Sequence, residues 1–277
     1  MPRFPSRLPS SLGTFAYLAA WLLPWRPVYR VRARESDLAF FVHRRDVVGR
    51  HIAKYGAHEA NLTQWIADRL AISEPSLFID AGANVGWHAL HAARCNSIEA
   101  VVAFEPDPFN AWLLDRNLLE NGIENVIVSC SALGAERGQA RLYRYKASNR
   151  GRHSLAANHG YGSKIVPVVD LDSALGDLGL GDRRVAIFKI DVEGYEPAVI
   201  AGARVTLART DAVIVEYTPA LSQRSGLSAE AMLAALHAGG FLPFALQANG
   251  AVAPIDADEL RNFDGQKDVI WLRQRAS

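Results

Sequence analysis

The stretch that most constrains this chain is Leu77-Phe78-Ile79-Asp80-Ala81-Gly82-Ala83-Asn84-Val85-Gly86. An apolar run ends in an acid, a small-residue turn follows, and a helical pattern begins near Val85. That order reads as a buried parallel strand feeding a helix through a tight turn. Gly82 and Gly86 let the backbone take unusual dihedrals and let a ligand approach closely. The helix start behind them offers free N–H groups to a carboxylate or a phosphate. A plain strand–helix corner is the bland alternative.

The spacing is Gly-x-x-x-Gly, not the dinucleotide fingerprint, and no Walker A lysine follows. A nucleoside ligand without a pyrophosphate fits better, and S-adenosylmethionine is the natural candidate. The chain then continues in strand–helix units. A second strand, Ala100 to Phe104, ends in Glu105-Pro106-Asp107. Glu105 follows Asp80 at about the separation of a βαβ unit, and its two oxygens suit both hydroxyls of a ribose. Pro106 fixes that turn. A helix is expected from about 108 to 120, stopped by Asn121-Gly122. The third strand, 125–131, places Ser131 and the nearby backbone beside an adenine.

Residues 138–170 break the rhythm. Gln139 to Tyr145 and Lys164 to Val169 alternate like an antiparallel pair. The polar segment between them is a candidate mobile substrate loop carrying Arg150, Arg152 and His153. The fourth strand, Val185 to Ile190, runs into Asp191-Val192-Glu193-Gly194-Tyr195-Glu196, and the fifth ends at Glu216. Crowded carboxylates at the carboxyl edge of a parallel sheet need a cation, a proton or a metal among them. The last strands, 241–246 and 268–272, read as a final antiparallel hairpin on the sheet edge. Asn61 is a candidate cap for a helix carrying Leu62, Trp65, Ile66 and Leu70. Residues 37–76 are expected to cover one sheet face and contribute to a lid. His88 sits close enough to the glycine turn to face the site; His91 reads as packed.

Residues 1–50 stand apart as an apolar and basic extension, with 51–277 as the domain. An uncharged run from Leu8 to Trp25 is bracketed by arginines. It is interrupted by prolines, too weak for a membrane span, and lacks a good cleavage site. Aromatic residues flanked by arginine suit membrane-surface contact through residues 8–34; a helix packed on the domain is the alternative. A cytoplasmic location, peripheral to the inner face of the membrane, follows from that reading. With 30 basic and 29 acidic residues, net charge +1, charge-driven nucleic-acid binding is not expected. The two cysteines, Cys95 and Cys130, read as reduced, and no Cys/His cluster has zinc spacing.

Taken together, these motifs resemble the FkbM family of S-adenosylmethionine-dependent methyltransferases. The matching text is Phe78 to Gly86, Ala103 to Asp107, Arg116-Asn117 through Asn121-Gly122, Ser131 to Leu133 and, most specifically, Lys189-Ile190-Asp191-Val192-Glu193-Gly194-Tyr195-Glu196 followed by Gly202-Ala203. The similarity spans about residues 55–273. It implies a Rossmann-like class I methyltransferase fold: a seven-stranded, mostly parallel sheet with helices on both faces. It implies methyl transfer to a hydroxyl of a sugar, glycolipid, polysaccharide or polyketide-like acceptor. Carried over by position, Asp80, Gly82, Asn84 and Gly86, with Ala83 in the same turn, surround the methionine part. Glu105 holds the ribose, with Pro106 and Asp107 beside it, and Ser131 and Ala132 flank the adenine. Asp191, Glu193 and Glu196 face the acceptor.

Methyl transfer to an alcohol needs a general base within reach. Asp191 is the first candidate, with His88 and His153 behind it. A divalent ion among Asp191, Glu193 and Glu216 is the other route, possible in chemistry but not expected here. A nicotinamide-dependent oxidoreductase and a non-catalytic binding module remain as competing classes. The missing third glycine counts against the first, and the crowded carboxylates against the second.

Overall fold

A computed structural model of the chain describes residues 28–274 except 35, 147 and 225. Residues 8–27 of the expected membrane-surface segment therefore lie outside the described residues, and only its end, 28–34, is described. None of the described helices is long and apolar enough to cross a membrane.

The centre is an eight-stranded sheet. Its parallel heart comprises β3 (Ser76–Ala81), β4 (Ile98–Phe104), β5 (Val126–Ser129), β9 (Val185–Ile190) and β10 (Thr210–Tyr217). The far side adds β11 (Phe241–Leu246), β12 (Val252–Pro254) and β13 (Lys267–Arg273). The spatial order is β12-β11-β13-β10-β9-β3-β4-β5. The sequence direction reverses on either side of β3, so the β3/β9 boundary is the switch point where a parallel sheet opens a crevice. β3 and β9 are buried throughout. Their apolar stretches, Leu77–Ile79 and Val185–Phe188, fit a sheet covered on both faces.

Alternate residues feed two cores. Phe78, Val101, Ile187, Ile214 and Ile270 face one; Leu77, Ile79, Val102, Phe188, Val213 and Trp271 face the other. The first is closed by α1 (Val47–Tyr55), α2 (Ala60–Ala71), α3 (Trp87–Ala93) and α4 (Pro108–Asn121). The second is closed by α5 (Leu171–Asp177), α6 (Glu196–Ala201), α7 (Arg204–Ala208) and, after α8 (Pro219–Arg224), α9 (Ala229–Ala238). This is the α/β architecture expected, with helices on both faces, but the sheet has eight strands where seven were expected: β13 runs antiparallel to both its neighbours, and the short β12 is an added antiparallel edge.

Three expectations change in detail. The last strands do not form a simple edge hairpin. β13 inserts between β10 and β11, antiparallel to both, and the short β12 adds an outer edge. The buried run Val269-Ile270-Trp271 needs neighbours on two sides, which an edge position does not supply. Second, residues 28–50 are not an appendage. β1 (Val28–Arg32) and β2 (Ala39–His43) form a hairpin whose Val31, Phe40 and Val42 enter the first core. The packed unit thus begins by residue 28. Third, α2 starts at Ala60, and Asn61 lies inside it, its amide donating to the Ala248 carbonyl.

The hairpin is fastened by two asparagines one turn apart on α4. Asn117 accepts from the Phe41 N–H at 2.6 Å and donates to the Val85 carbonyl at 2.8 Å. Asn121 accepts from the Ala39 N–H and donates to the Ala39 carbonyl. The amides complete the free edge of β2 as a neighbouring strand would. Asn117 is fully buried and also fixes the end of the glycine turn. Asn117→Leu leaves the Phe41 N–H and the Val85 carbonyl without these partners. The expected loss is about 2–4 kcal/mol of stability, read as a lower denaturant midpoint; an unchanged midpoint contradicts this role.

Candidate active site

The carboxyl ends of β3, β4 and β9 converge where the sheet opens. At Gly82 (φ 81°) a Cβ would lie 1.9 Å from the Asp191 carbonyl oxygen. The turn after β3 and the turn after β9 thus pack backbone against backbone, which only glycine allows. Asn84 (φ 51°) and Glu193 (φ 52°) occupy the same left-handed region without being glycine. Such strain persists where the surrounding structure over-determines it, commonly at functional sites.

Two cavities share Gly82, Gly151 and Asp191 in their walls. The larger, about 270 Å³, is lined by Glu59, Asp80, Asn84, His88, Lys189 and Asp191 among others. The smaller, about 30 Å³, lies between Glu105, Pro106 and Ala132 on one side and Arg150, Gly151 and His153 on the other. Of the residues expected at the site, Asp80, Gly82, Ala83, Asn84, His88, Asp191 and Glu193 line the larger cavity, and Glu105, Pro106 and Ala132 the smaller.

Gly86, Asp107, Ser131 and Glu196 line neither. Gly86 (φ 86°) starts α3, where Leu90 and Leu114 pack over it. Ser131 exchanges a hydrogen bond with Ser129 at 2.8 Å. Glu196 is 1 % exposed and folds back to accept from the Val192 and Gly194 N–H groups, locking the turn that carries Glu193. Its four-residue reach to its own turn outcompetes the cavity. Asp107 caps α4 by accepting from Phe109 and Asn110 N–H, and pairs with Arg150 at 3.0 Å and Lys164 at 2.8 Å.

That last network holds the polar segment between β7 (Gly138–Tyr143) and β8 (Ser163–Val169), which pair antiparallel as expected, with the short β6 (Ala132–Leu133) parallel to β8 on its other side. The Arg150 N–H donates to Asp46 at 2.7 Å, and its guanidinium lies over the Phe109 ring. The Ser154 hydroxyl donates to the Glu193 carbonyl at 2.6 Å. His153 accepts from the Tyr145 N–H and is 9 % exposed. The segment expected as a mobile loop is thus folded down and bonded over the Glu105 side of the site. His153 serves that closure and not the larger cavity.

Lys189 organises the charges. It is 4 % exposed, with its ammonium 3.0 Å from Asp191 and 4.0 Å from Asp80. Burial alone lowers a lysine pKa, but Asp191, Asp80 and Glu59 more than offset it and hold Lys189 charged. Asp191, Glu193 and Glu216 bring ligand atoms within 4.8 Å of one another. Lys189 stands against the first and Arg152, at 3.4 Å, against the second. Glu105 accepts from the Asn84 and Asp107 N–H groups, both at 2.8 Å, with its oxygens' remaining lone pairs available to a ribose. His88 bonds Glu59 at 2.7 Å, and His91 packs against Trp87 and Phe40.

Sequence reading missed Glu59 and gave Lys189 no role. A lone charge inside the apolar run Val185–Ile190 was a visible signal for Lys189. Glu59 had none, because its place depends on a left-handed backbone (φ 46°) and on α3.

The acids carry a pH signature. Burial first, and for Glu193 the Asp191 carboxylate next, pushes Glu193 up; burial raises Glu105 to about 7 and Glu196 to about 8. A folded chain that binds these protons more tightly than the unfolded chain loses stability as pH rises through that range. The melting temperature is expected to fall between about pH 6 and 8.5, and Glu196→Gln to flatten the fall. A flat wild-type profile contradicts the assignment.

Comparison with known proteins follows the same lines. A family model described as the methyltransferase FkbM domain matches residues 80–243. Methyltransferase 1 of Beauveria bassiana is 28% identical over 148 residues, covering 47% of this chain and 59% of that protein. Methyltransferase sdnD of Sordaria araneosa is 27% identical over 152 residues, covering 45% and 59%. The chain thus spans about three fifths of the length of these relatives. The crystal structure of methyltransferase FkbM from Methylobacillus flagellatus KT aligns at 14% identity with TM-score 0.40, over 71% of this chain and 43% of that one. With the model match running from Asp80 through β9 and β10 into β11, and so over more than half of the sequence, this chain belongs to the FkbM methyltransferase family.

Proposed function

We propose that this protein transfers a methyl group from S-adenosylmethionine to a hydroxyl of a neutral acceptor, such as a sugar, a glycolipid or polysaccharide, or a polyketide-like compound. The observation that carries the reading is the pair of cavities meeting at Gly82 and Asp191, one led by Glu105 and the other by Asp80, Lys189 and Asp191.

The residues present fit the cofactor. The buried Asp80 Oδ1 and Asn84 Oδ1 atoms have no hydrogen-bond partner, as expected of groups that await a ligand. Asp80, Asn84 and Lys189 suit the ammonium and carboxylate of the methionine part. Glu105 suits the ribose, and Ala132 with Leu133 and Leu155 the adenine. S-adenosylmethionine, when bound, supplies an electrophilic methyl group. Asp191 lines both cavities and is the side chain placed to take the acceptor's proton, while Lys189 holds its carboxylate in position. The chain's chief contribution is to hold two reactants in line. Carboxylates dominate the larger cavity, which favours neutral hydroxylic acceptors over anions.

Calorimetric titration of the full chain with S-adenosylhomocysteine tests this. Binding in the micromolar range, on the order of −8 kcal/mol, is expected, and Glu105→Ala is expected to weaken it at least about tenfold. A folded wild-type chain that does not bind overturns the reading. Because the Glu105 crevice holds only about 30 Å³, binding requires the Arg150–His153 segment to lift. Arg150→Ala removes its side-chain bonds to Asp107 and Asn110. It is expected to speed S-adenosylhomocysteine association several-fold in stopped-flow measurements, with unchanged rates counting against the strap.

A further inference from the structure

Glu59 holds the N-cap position of α2, yet its side chain caps nothing. A usual cap has extended dihedrals and turns its oxygen back to the helix N–H groups. Glu59 instead adopts φ 46°, ψ 49°, a region non-glycine residues avoid. That backbone directs the carboxylate towards α3 and into the wall of the larger cavity, where 36% of the side chain stays accessible. One oxygen meets His88 Nε2 at 2.7 Å, and the other lies 3.5 Å from His58 Nε2. Below it the Thr63 hydroxyl donates to the Glu59 carbonyl and accepts from the Trp87 indole N–H. The strained turn is thereby tied to the helix that follows the glycine loop.

Burial raises the Glu59 carboxyl's pKa, but His58, the bond from His88 and the Lys189 ammonium more than offset this and hold it well below the usual carboxylate range. A carboxylate kept ionised, oriented from two sides and open to the cavity is a hydrogen-bond acceptor awaiting a donor. His88 is itself 5 % exposed, and its buried Nδ1 has no partner. The pair is therefore not a closed structural network.

We infer that Glu59 receives the acceptor's hydroxyl: its carboxylate, turned into the cavity by a left-handed backbone and steadied by His88, accepts that hydroxyl's hydrogen bond on the cavity wall shared with Asp191. This rests on the methyl-transfer reading above and adds an acceptor-orienting residue to it. It also favours acceptors presenting O–H donors and disfavours anions, which meet Glu59, Asp191 and Glu193 around one space.

Glu59→Gly and Glu59→Gln in the full chain test it with three readouts. Glycine removes the carboxylate and relieves the left-handed backbone, whereas glutamine keeps an acceptor oxygen without the charge. Loss of the Glu59 partner of His88 opposes the relief of backbone strain, so the glycine variant is expected to fold with a somewhat lower melting temperature and to bind S-adenosylhomocysteine within about twofold of wild type. With a panel of methyl glycosides as acceptors, S-adenosylhomocysteine formation is expected to fall about 10- to 100-fold in kcat/KM for the glycine variant, and less for glutamine. A loss of turnover that only tracks the loss of folded protein, with kcat/KM per folded chain unchanged, shows that the carboxylate is structural and overturns the inference. A tenfold loss of S-adenosylhomocysteine affinity makes Glu59 a cofactor residue and overturns it too, as does unchanged turnover. Failure of the methyl-transfer reading would show separately, as a wild-type chain that does not bind S-adenosylhomocysteine.

Discussion

The site depends on one buried ammonium. Lys189 sits at the end of a strand with no exposed residue, between Asp191 and Asp80, and it is 4 % exposed. Without it, the acids at the ends of β3, β9 and β10 would repel one another in a poorly solvated space. Removing one partner of a buried ion pair costs more than the pair itself contributes, because the remaining charge stays buried. The arrangement thus holds carboxylates where water alone would not keep them, and leaves Asp191 and Glu59 facing a cavity.

A second constraint is steric. The 1.9 Å that would separate a Gly82 Cβ from the Asp191 carbonyl means that the turns after β3 and β9 are one packed object. Asp80, Asn84, Asp191 and Glu193 are all carried by or next to that object, so their relative placement is set by backbone contact and not by flexible side chains. The segment from Arg150 to Ser154 then closes over it through Asp107, Asp46 and the Glu193 carbonyl. Asp107 ties this closure to the helix cap of α4, beside the Glu105 that suits a ribose.

Much of this was legible in the chain. The apolar stretches Leu77–Ile79 and Val185–Phe188 marked a sheet covered on both faces, and Asp80 and Asp191 at their ends marked its carboxyl edge. Asp80, Glu105 and Asp191 were singled out because strand-end positions in a parallel sheet are geometrically equivalent, and all three line a cavity. Asp107, Ser131 and Glu196 were singled out by the same reasoning and line neither cavity. Sequence distance of one or two residues does not say which way a side chain turns once a cap or a turn competes for its oxygens. Asn117 and Asn121 were quoted as motif text, but their pairing with the edge of β2 required the hairpin to be in place.

The sequence by itself determined the order of strands and helices, the ligand edge of the sheet and the glycine turn, because these follow from local periodicity and from backbone dihedrals that few residues tolerate. Tertiary structure alone decided that β13 enters the sheet interior, that residues 28–50 belong to the packed unit, and that the 150–154 segment closes the site. It alone turned Glu59 towards His88. Each of these rests on contacts between segments far apart in the chain, whose partners no local pattern names.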